Sequence, residues 1–351
     1  MGARFSLSTE PLTQAEGAVL ASDLETLGAD VGLLDLYAAT LSRSSRLTRP
    51  RMLRMQDGDQ LTGAALVMHC KDTMRSLFPQ PAVRQIGHYA PASWYWERTG
   101  VGTDSVACPG LVAEGVDREA FARAGVAWLS RRYASGVAMQ PSGTRTDQPH
   151  VVWPWIGVTS LAVDAGTRAR IVGEHRHLDR KVRRFTGRGG RIVRLHGPMP
   201  STLRPAMLAG YELDRPPDPP FRELYEDLVA AHWSIRSDDL VHLVAYVGDL
   251  PVGYHSFLRS GRLLSLLSGV FYRPAVGTHH AYENVLLGSI DLATDLGCSR
   301  IEYGAAINEV KRSLLDVEAS EIHFVSRIPG VVAGLRAMLP KTLLASLPGR
   351  A

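Results

Sequence analysis

Cysteine is scarce: three in 351 residues, Cys70, Cys108 and Cys298, odd in number and far apart. A disulfide framework is therefore excluded as the organising principle, and Cys70 and Cys298, at the ends of apolar segments, read as packing residues. Long apolar runs are missing too; none approaches the ~20 residues that cross a bilayer. Residues 1–14 lack a charged-then-apolar leader. The expectation is a cytoplasmic chain with no membrane partner. There is no Gly-x-Ser-x-Gly elbow, no plausible Cys/His pair and no Cys-x-x-Cys, so nucleophilic and zinc chemistry lack their usual marks. His279 and Glu283 stand one helical turn apart, but no third ligand is spaced to join them, so no metal is expected.

What is present describes a globular protein, with 45% hydrophobic and 21% charged residues, long enough for two domains. Acids are rare in one place. Between Arg168 and Arg194 ten arginines and lysines face only Glu174 and Asp179, a local excess larger than the +4 of the whole chain. Ile171, Leu178, Val182 and Phe185 give that stretch one apolar side, predicting a basic helix over 168–188 that leads to a strand, 192–195. A polyanionic partner such as RNA is the natural reading, with Arg180, Lys181, Arg183 and Arg184 as the binding cluster; a solvated helical face is the competing one.

The order of elements repeats. Helices over 12–27 and 33–41 precede a hairpin of 51–56 and 64–70 around Asp57-Gly58-Asp59. A helix over 117–135, stopped by Gly136, then precedes a strand at 137–140. Farther on, a helix over 221–233 precedes strands 240–247 and 252–259 around Gly248-Asp249, then strand 263–272. Helix 278–296, stopped by Gly297, precedes strand 300–304. Gly58-Asp59 recurs 190 residues later as Gly248-Asp249, while the helix recurs after 161, so the first copy carries about thirty extra residues. The Pro-, Trp- and Tyr-rich stretch 74–109 is the place for them. Asp214 to Pro220, with four prolines, reads as a linker. A strand over 322–325 and a helix over 331–339 close the chain. The boundaries drawn from this are residues 1–166, 167–196 for the basic connection, and 197–351.

The second copy, with Ile301-Glu302-Tyr303-Gly304 and Asn308-Glu309-Val310-Lys311-Arg312-Ser313-Leu314 at its end, resembles the acyltransferase core of the GNAT superfamily. Within it, the chain is similar to the Fem-type aminoacyltransferase branch, as is the string His177-Leu178-Asp179-Arg180-Lys181-Val182-Arg183-Arg184. The resemblance implies an α/β (α+β) fold of two tandem GNAT-like domains, mixed sheets flanked by helices. It also implies transfer of an aminoacyl group from aminoacyl-tRNA to the amine of a small molecule or peptide, with no bound cofactor.

Amide formation needs the amine to lose a proton, the carbonyl oxygen to be stabilised and both substrates to be aligned. The resemblance gives Lys311 the stabilising role; an exposed lysine paired with Glu309 or Asp316 is the plain alternative. Glu302 and His255 are the candidates for the proton. Tyr254, Tyr272, Tyr303, Asn308, Trp94 and Trp96 are candidates for substrate binding. Ordinary GNAT enzymes hold the coenzyme A pyrophosphate on Gln/Arg-x-x-Gly-x-Gly/Ala, whereas Arg273-Pro274-Ala275-Val276-Gly277-Thr278-His279 departs in spacing and ends in histidine. That favours an aminoacyl-tRNA donor over the alternative, acyl-coenzyme A. A silent RNA-binding module of the same fold is the third reading.

Overall fold

The computed structural model describes residues 4–8, 14–42, 48–70, 94–96, 110–141, 150–208, 229–271, 280–303, 314–328, 330–334 and 336–337. In chain order the elements are β1 (Arg4–Leu7), α1 (Gln14–Thr26), α2 (Val31–Leu41), β2 (Thr48–Asp57), β3 (Gln60–Cys70), β4 (Trp94–Trp96), β5 (Leu111–Val112), α3 (Arg118–Arg132), β6 (Ser135–Pro141) and β7 (His150–Ala162). Then come α4 (Thr167–Glu174), α5 (Arg176–Gly187), β8 (Gly190–His196), β9 (Leu240–Val247), β10 (Leu250–Ser260), β11 (Leu263–Phe271), α6 (Ala281–Asp295), β12 (Arg300–Glu302) and β13 (Asp316–Ser326). Residues 229–233 are helical, the described end of the helix expected over 221–233.

All the strands join one mixed sheet in the order β1-β2-β3-β4-β6-β13-β7-β12-β11-β10-β9-β8, with β5 paired to β3 off this path. The order is a palindrome. Each half runs through four strands to a parallel pair, β4 with β6 and β11 with β12, and each half gives its last strand to the other. Thus β13 pairs with β6, and β7 pairs with β12, while β7 and β13 meet antiparallel at the centre.

The repetition reaches single residues. Gly58 and Gly248 both turn with positive φ, 62° and 59°. In β3 the ladder slips so that Thr62 is the extra residue, and in β10 Val252 is, again 190 positions on. α3 and α6 each hold fifteen residues, and the shift between them is 163 rather than 161. The described part of the insertion is β4, while the rest of 74–109 lies outside the described residues.

The basic stretch is two helices, not one. The backbone leaves helical geometry at His175 (φ −117°, ψ 67°), two residues after Gly173, and restarts as α5. Ile171 on α4 and Leu178 and Phe185 on α5 then pack with Val285, Leu286 and Ile290 of α6 in one core on one face of the second half of the sheet. The other face carries Trp233, Tyr254, Val244 and Val270 in one cluster, and Leu240 and Leu258 beneath α1 and α2 in another. Asp30 ties that last contact. Its carboxylate caps α2 through the Leu33 N–H at 2.9 Å and accepts the Gly261 N–H at 3.1 Å.

Candidate active site

The second half splits along one line. β11 and β12 are paired only from Leu263–Arg300 to Ser265–Glu302, after which β11 continues to Phe271 and β12 ends. At this opening β11 also bulges, since Ser256 faces Ser268 while Phe257 faces Leu266, leaving Leu267 as the extra residue. Bulges beside clefts leave a residue out of the ladder, placing a backbone N–H where a carbonyl oxygen can meet it.

On the α6 side the opening is aromatic. His255 stands edge-on to Phe257 at 5.7 Å, Phe271 at 5.1 Å and Tyr282 at 5.7 Å. Its ring lies over Gly269, where a Cβ would fall 2.3 Å from His255 Cδ2 and 3.0 Å from the Tyr254 carbonyl oxygen. Gly269→Ala is expected to cost about 1–3 kcal/mol, read as a lower urea midpoint, because the three aromatic rings leave His255 no room to yield. Tyr303 is buried on the same side and shares a 2.8 Å hydrogen bond with Ser289 of α6. Burial pushes its hydroxyl far above the usual phenol range. Tyr254 points to the opposite face, fully buried, 5.6 Å from Trp233. Both tyrosines are core side chains.

Glu302 also faces away from α6. Its strand neighbours Ile301 and Tyr303 both lie in the α6 core, so alternation turns Glu302 to the far face. There it belongs to a row crossing four strands: Ser265 beside Glu302, Glu302 beside Ser160, Ser160 beside Asp316. Ser265, Glu302 and Ser160 are each at most 3% exposed. Arg300, two residues before Glu302, donates to Ser160 Oγ at 3.0 Å. His255 and Glu302 are therefore on opposite faces of the sheet, and a single amine cannot use both.

At the start of α6 the chain stands in the left-handed region, His280 φ 59°, and no side chain caps the helix. The α3 counterpart is capped by Asp117, which accepts the Glu119 N–H at 2.9 Å, with Arg123 paired to Glu119 at 3.3 Å. Each helix has an acid in its first turn, Glu119 and Glu283, but only the α3 start is capped by a side chain, and the α6 start lies among cations. Burial lowers the His280 pKa, and the positive charges of Lys181, Arg184 and Arg188 lower it further against Glu283.

The four predicted RNA-binding residues separate. Lys181 is half-buried and bonds to Glu283 Oε1 at 2.7 Å, and Arg183 pairs with Asp179 at 2.7 Å, so these two charges are answered within the fold. Glu283 is thereby engaged by a lysine, away from the metal role weighed for it with His279; the described residues hold no group of three or more metal-ligating side chains. Arg180 and Arg184 are exposed and lie in a row with Arg176 and Arg188, also exposed. The spacing of four, legible in the sequence, adds the two residues that the expected cluster omitted. Lys311, Asn308, Tyr272 and His279 lie outside the described residues, as do the side chains of Trp94 and Trp96.

Residues 173–312 match the family model of the acetyltransferase (GNAT) domain. That part of the chain is similar to a GNAT domain. The matched stretch runs from the end of α4 through β12, and so takes in α5, the opening between β11 and β12, and the start of α6. No curated protein matches the chain. Among solved structures, a tandem GNAT protein from the clavulanic acid biosynthesis pathway is 13% identical, covering 93% of this chain and 98% of that one at TM-score 0.45. FemX is 9% identical, covering 94% and 99% at TM-score 0.48. The C-terminal domain of a putative lysylphosphatidylglycerol synthetase from Agrobacterium fabrum is 9% identical, covering 93% and 97% at TM-score 0.49.

Proposed function

We propose that this GNAT-fold acyltransferase forms an amide, moving an aminoacyl group from aminoacyl-tRNA to an amine. The observation that carries this reading is the exposed arginine row at 176, 180, 184 and 188, whose last two members lie close enough to the α6 start to act on His280. Successive members of the row within α5 are about 6 Å apart along the axis, a spacing suited to the phosphates of an extended single strand. A 3′ end lying along the row would arrive at the uncapped start of α6, beside the opening in the sheet. Helix starts favour phosphate. Lys311, in the chain that follows β12, would then stabilise the oxyanion, and a Glu302 carboxylate on the far face would take the amine's proton.

Acyl-coenzyme A is the second reading, favoured by the same helix start and by the acetyltransferase domain match. The two are separated by incubating the protein with a labelled aminoacyl-tRNA pool, or with labelled acetyl-coenzyme A, and a mixture of amines. Label leaving the RNA for a small amide supports the first, and label leaving only coenzyme A overturns it. RNA binding should weaken with salt at a slope of about −0.7 per neutralised phosphate. Four engaged arginines give about −3, and Arg180→Ala should flatten the slope by about 0.7 while Arg183→Ala changes it less.

A further inference from the structure

The row Ser265, Glu302, Ser160, Asp316 leads on the far face to a cleft of ≈ 550 Å³ lined by Ser160, Ala162, Arg262, Leu263, Ser299, Arg300 and Asp316. The cleft exists because of the strand exchange. Ser160 and Ala162 come from the last strand of the first half, Asp316 from the last strand of the second, and Arg262 and Arg300 from the β11 and β12 side.

Its charges are mixed and spatially ordered. Arg300 is fixed on Ser160, Arg262 and Asp316 stand exposed at the rim, and Ser160 is the ladder partner of both Glu302 and Asp316. Two guanidiniums with one rim carboxylate suit neither a simple anion nor a simple cation. They suit a small molecule carrying both signs, its carboxylate on Arg262 and Arg300 and its ammonium toward Asp316 and Glu302.

We infer that this cleft holds the acceptor, and that the acceptor is an α-amino-acid-like zwitterion, free or at the end of a short peptide. The inference rests on the acyl-transfer reading. The cleft lies at the start of β11 and β12, and its lining residues Ser160 and Arg300 are the neighbours of buried Glu302 across and along the strands, so the amine must reach past Ser160 to meet Glu302 at the last β11–β12 pair, where the sheet opens. One ammonium proton passes to the Glu302 carboxylate. The freed amine nitrogen bonds to the donor's carbonyl carbon, the ester C–O bond breaks, and the departing ribose oxygen takes up a proton.

The test is calorimetry on the full chain with the twenty amino acids, their carboxamides and their N-acetyl derivatives, and no donor. The expected result is that one or a few amino acids bind and that both derivatives of those bind at least tenfold more weakly. Arg262→Ala and Asp316→Asn, both at exposed positions, should each weaken binding about tenfold or more, as loss of a hydrogen bond to a charged group does. Absence of binding by every amino acid, equal binding of the carboxamides, or binding untouched by both substitutions would each overturn the inference. The acyl-transfer reading fails separately. It falls if zwitterions bind here yet no donor yields an amide, and it stands if amide forms on amines without a carboxylate while the cleft stays indifferent to amino acids.

Discussion

Glu302→Gln is expected to lower the rate of amide formation by ~10²–10⁴, the usual worth of a positioned general base, while leaving donor binding and the urea midpoint nearly unchanged. Glutamine keeps the size of the side chain and can still take part in the polar row, but it cannot accept the ammonium proton. His255→Asn makes the contrast. His255 is wedged edge-on between three aromatic rings and over Gly269, so its loss should appear as about 1–3 kcal/mol of stability and only a small change in rate at saturating substrate. The two residues face opposite sides of one sheet, which is why the outcomes are expected to separate. If the glutamine variant turned over at the native rate, and the asparagine variant were folded but inactive, the base would lie on the α6 side and the far-face acceptor cleft would lose its mechanism.

The sequence and the structure part company at long range. The hairpins, the helix stopped by Gly297 and the alternation of Ile301-Glu302-Tyr303 are local patterns, and the fold keeps them. The repeated Gly58 and Gly248 turns were legible because a positive φ needs glycine, and the identical bulge at Thr62 and Val252 follows from the same copying. The exchange of last strands was not legible. Strands at 150–162 and 316–326 carry no mark of which half they join, and the pairing of Ser160 with both Glu302 and Asp316 links positions more than 140 residues apart. For the same reason the cleft with Arg262 and Asp316 had no sequence signature. Lys181 is a further case of a long-range partner that the sequence does not mark. Its charge looked available beside Arg180, but Glu283, 102 residues away, meets it, and only the packing of α5 on α6 reveals that. Tyr254 and Tyr303, expected among the substrate-binding residues, have rings that fill the core on opposite faces, a placement that only the packing shows.

Mild acid should unfold this protein, because two histidines are held neutral inside it. Burial pushes both His232 and His242 down to about 4. Geometry sets the tautomer of neutral His242: the Gly197 carbonyl can only accept, so Nε2–H donates to it at 2.9 Å and Nδ1 accepts the Ser256 hydroxyl at 2.7 Å, while the Gly197 bond, which favours the protonated ring, is outweighed by burial. In the unfolded chain each imidazole regains its ordinary value near 6.5. Between these limits the unfolded state binds the extra protons, so stability is level above pH 6.5 and declines as pH falls toward 4, by about 3 kcal/mol for each histidine. A loss of about 6 kcal/mol is comparable with the whole stability of an ordinary domain, about 5–15 kcal/mol. Asp164, held low chiefly by its hydrogen bond to Thr167, adds its own loss only below this window. Asp291, raised by burial against the opposing pull of Arg168 and Arg194, works the other way near the acid end. Urea unfolding at pH 7.5, 6.5, 5.5 and 4.5 should therefore give a falling series, and His242→Gln should remove about half of its slope while lowering stability at pH 7.5. A series flat from 7.5 to 4.5 would mean that the two rings reach water or a proton partner in the folded state, and the helical segment ending at Trp233 would then have to sit more loosely on β9 and β10 than its buried contacts indicate.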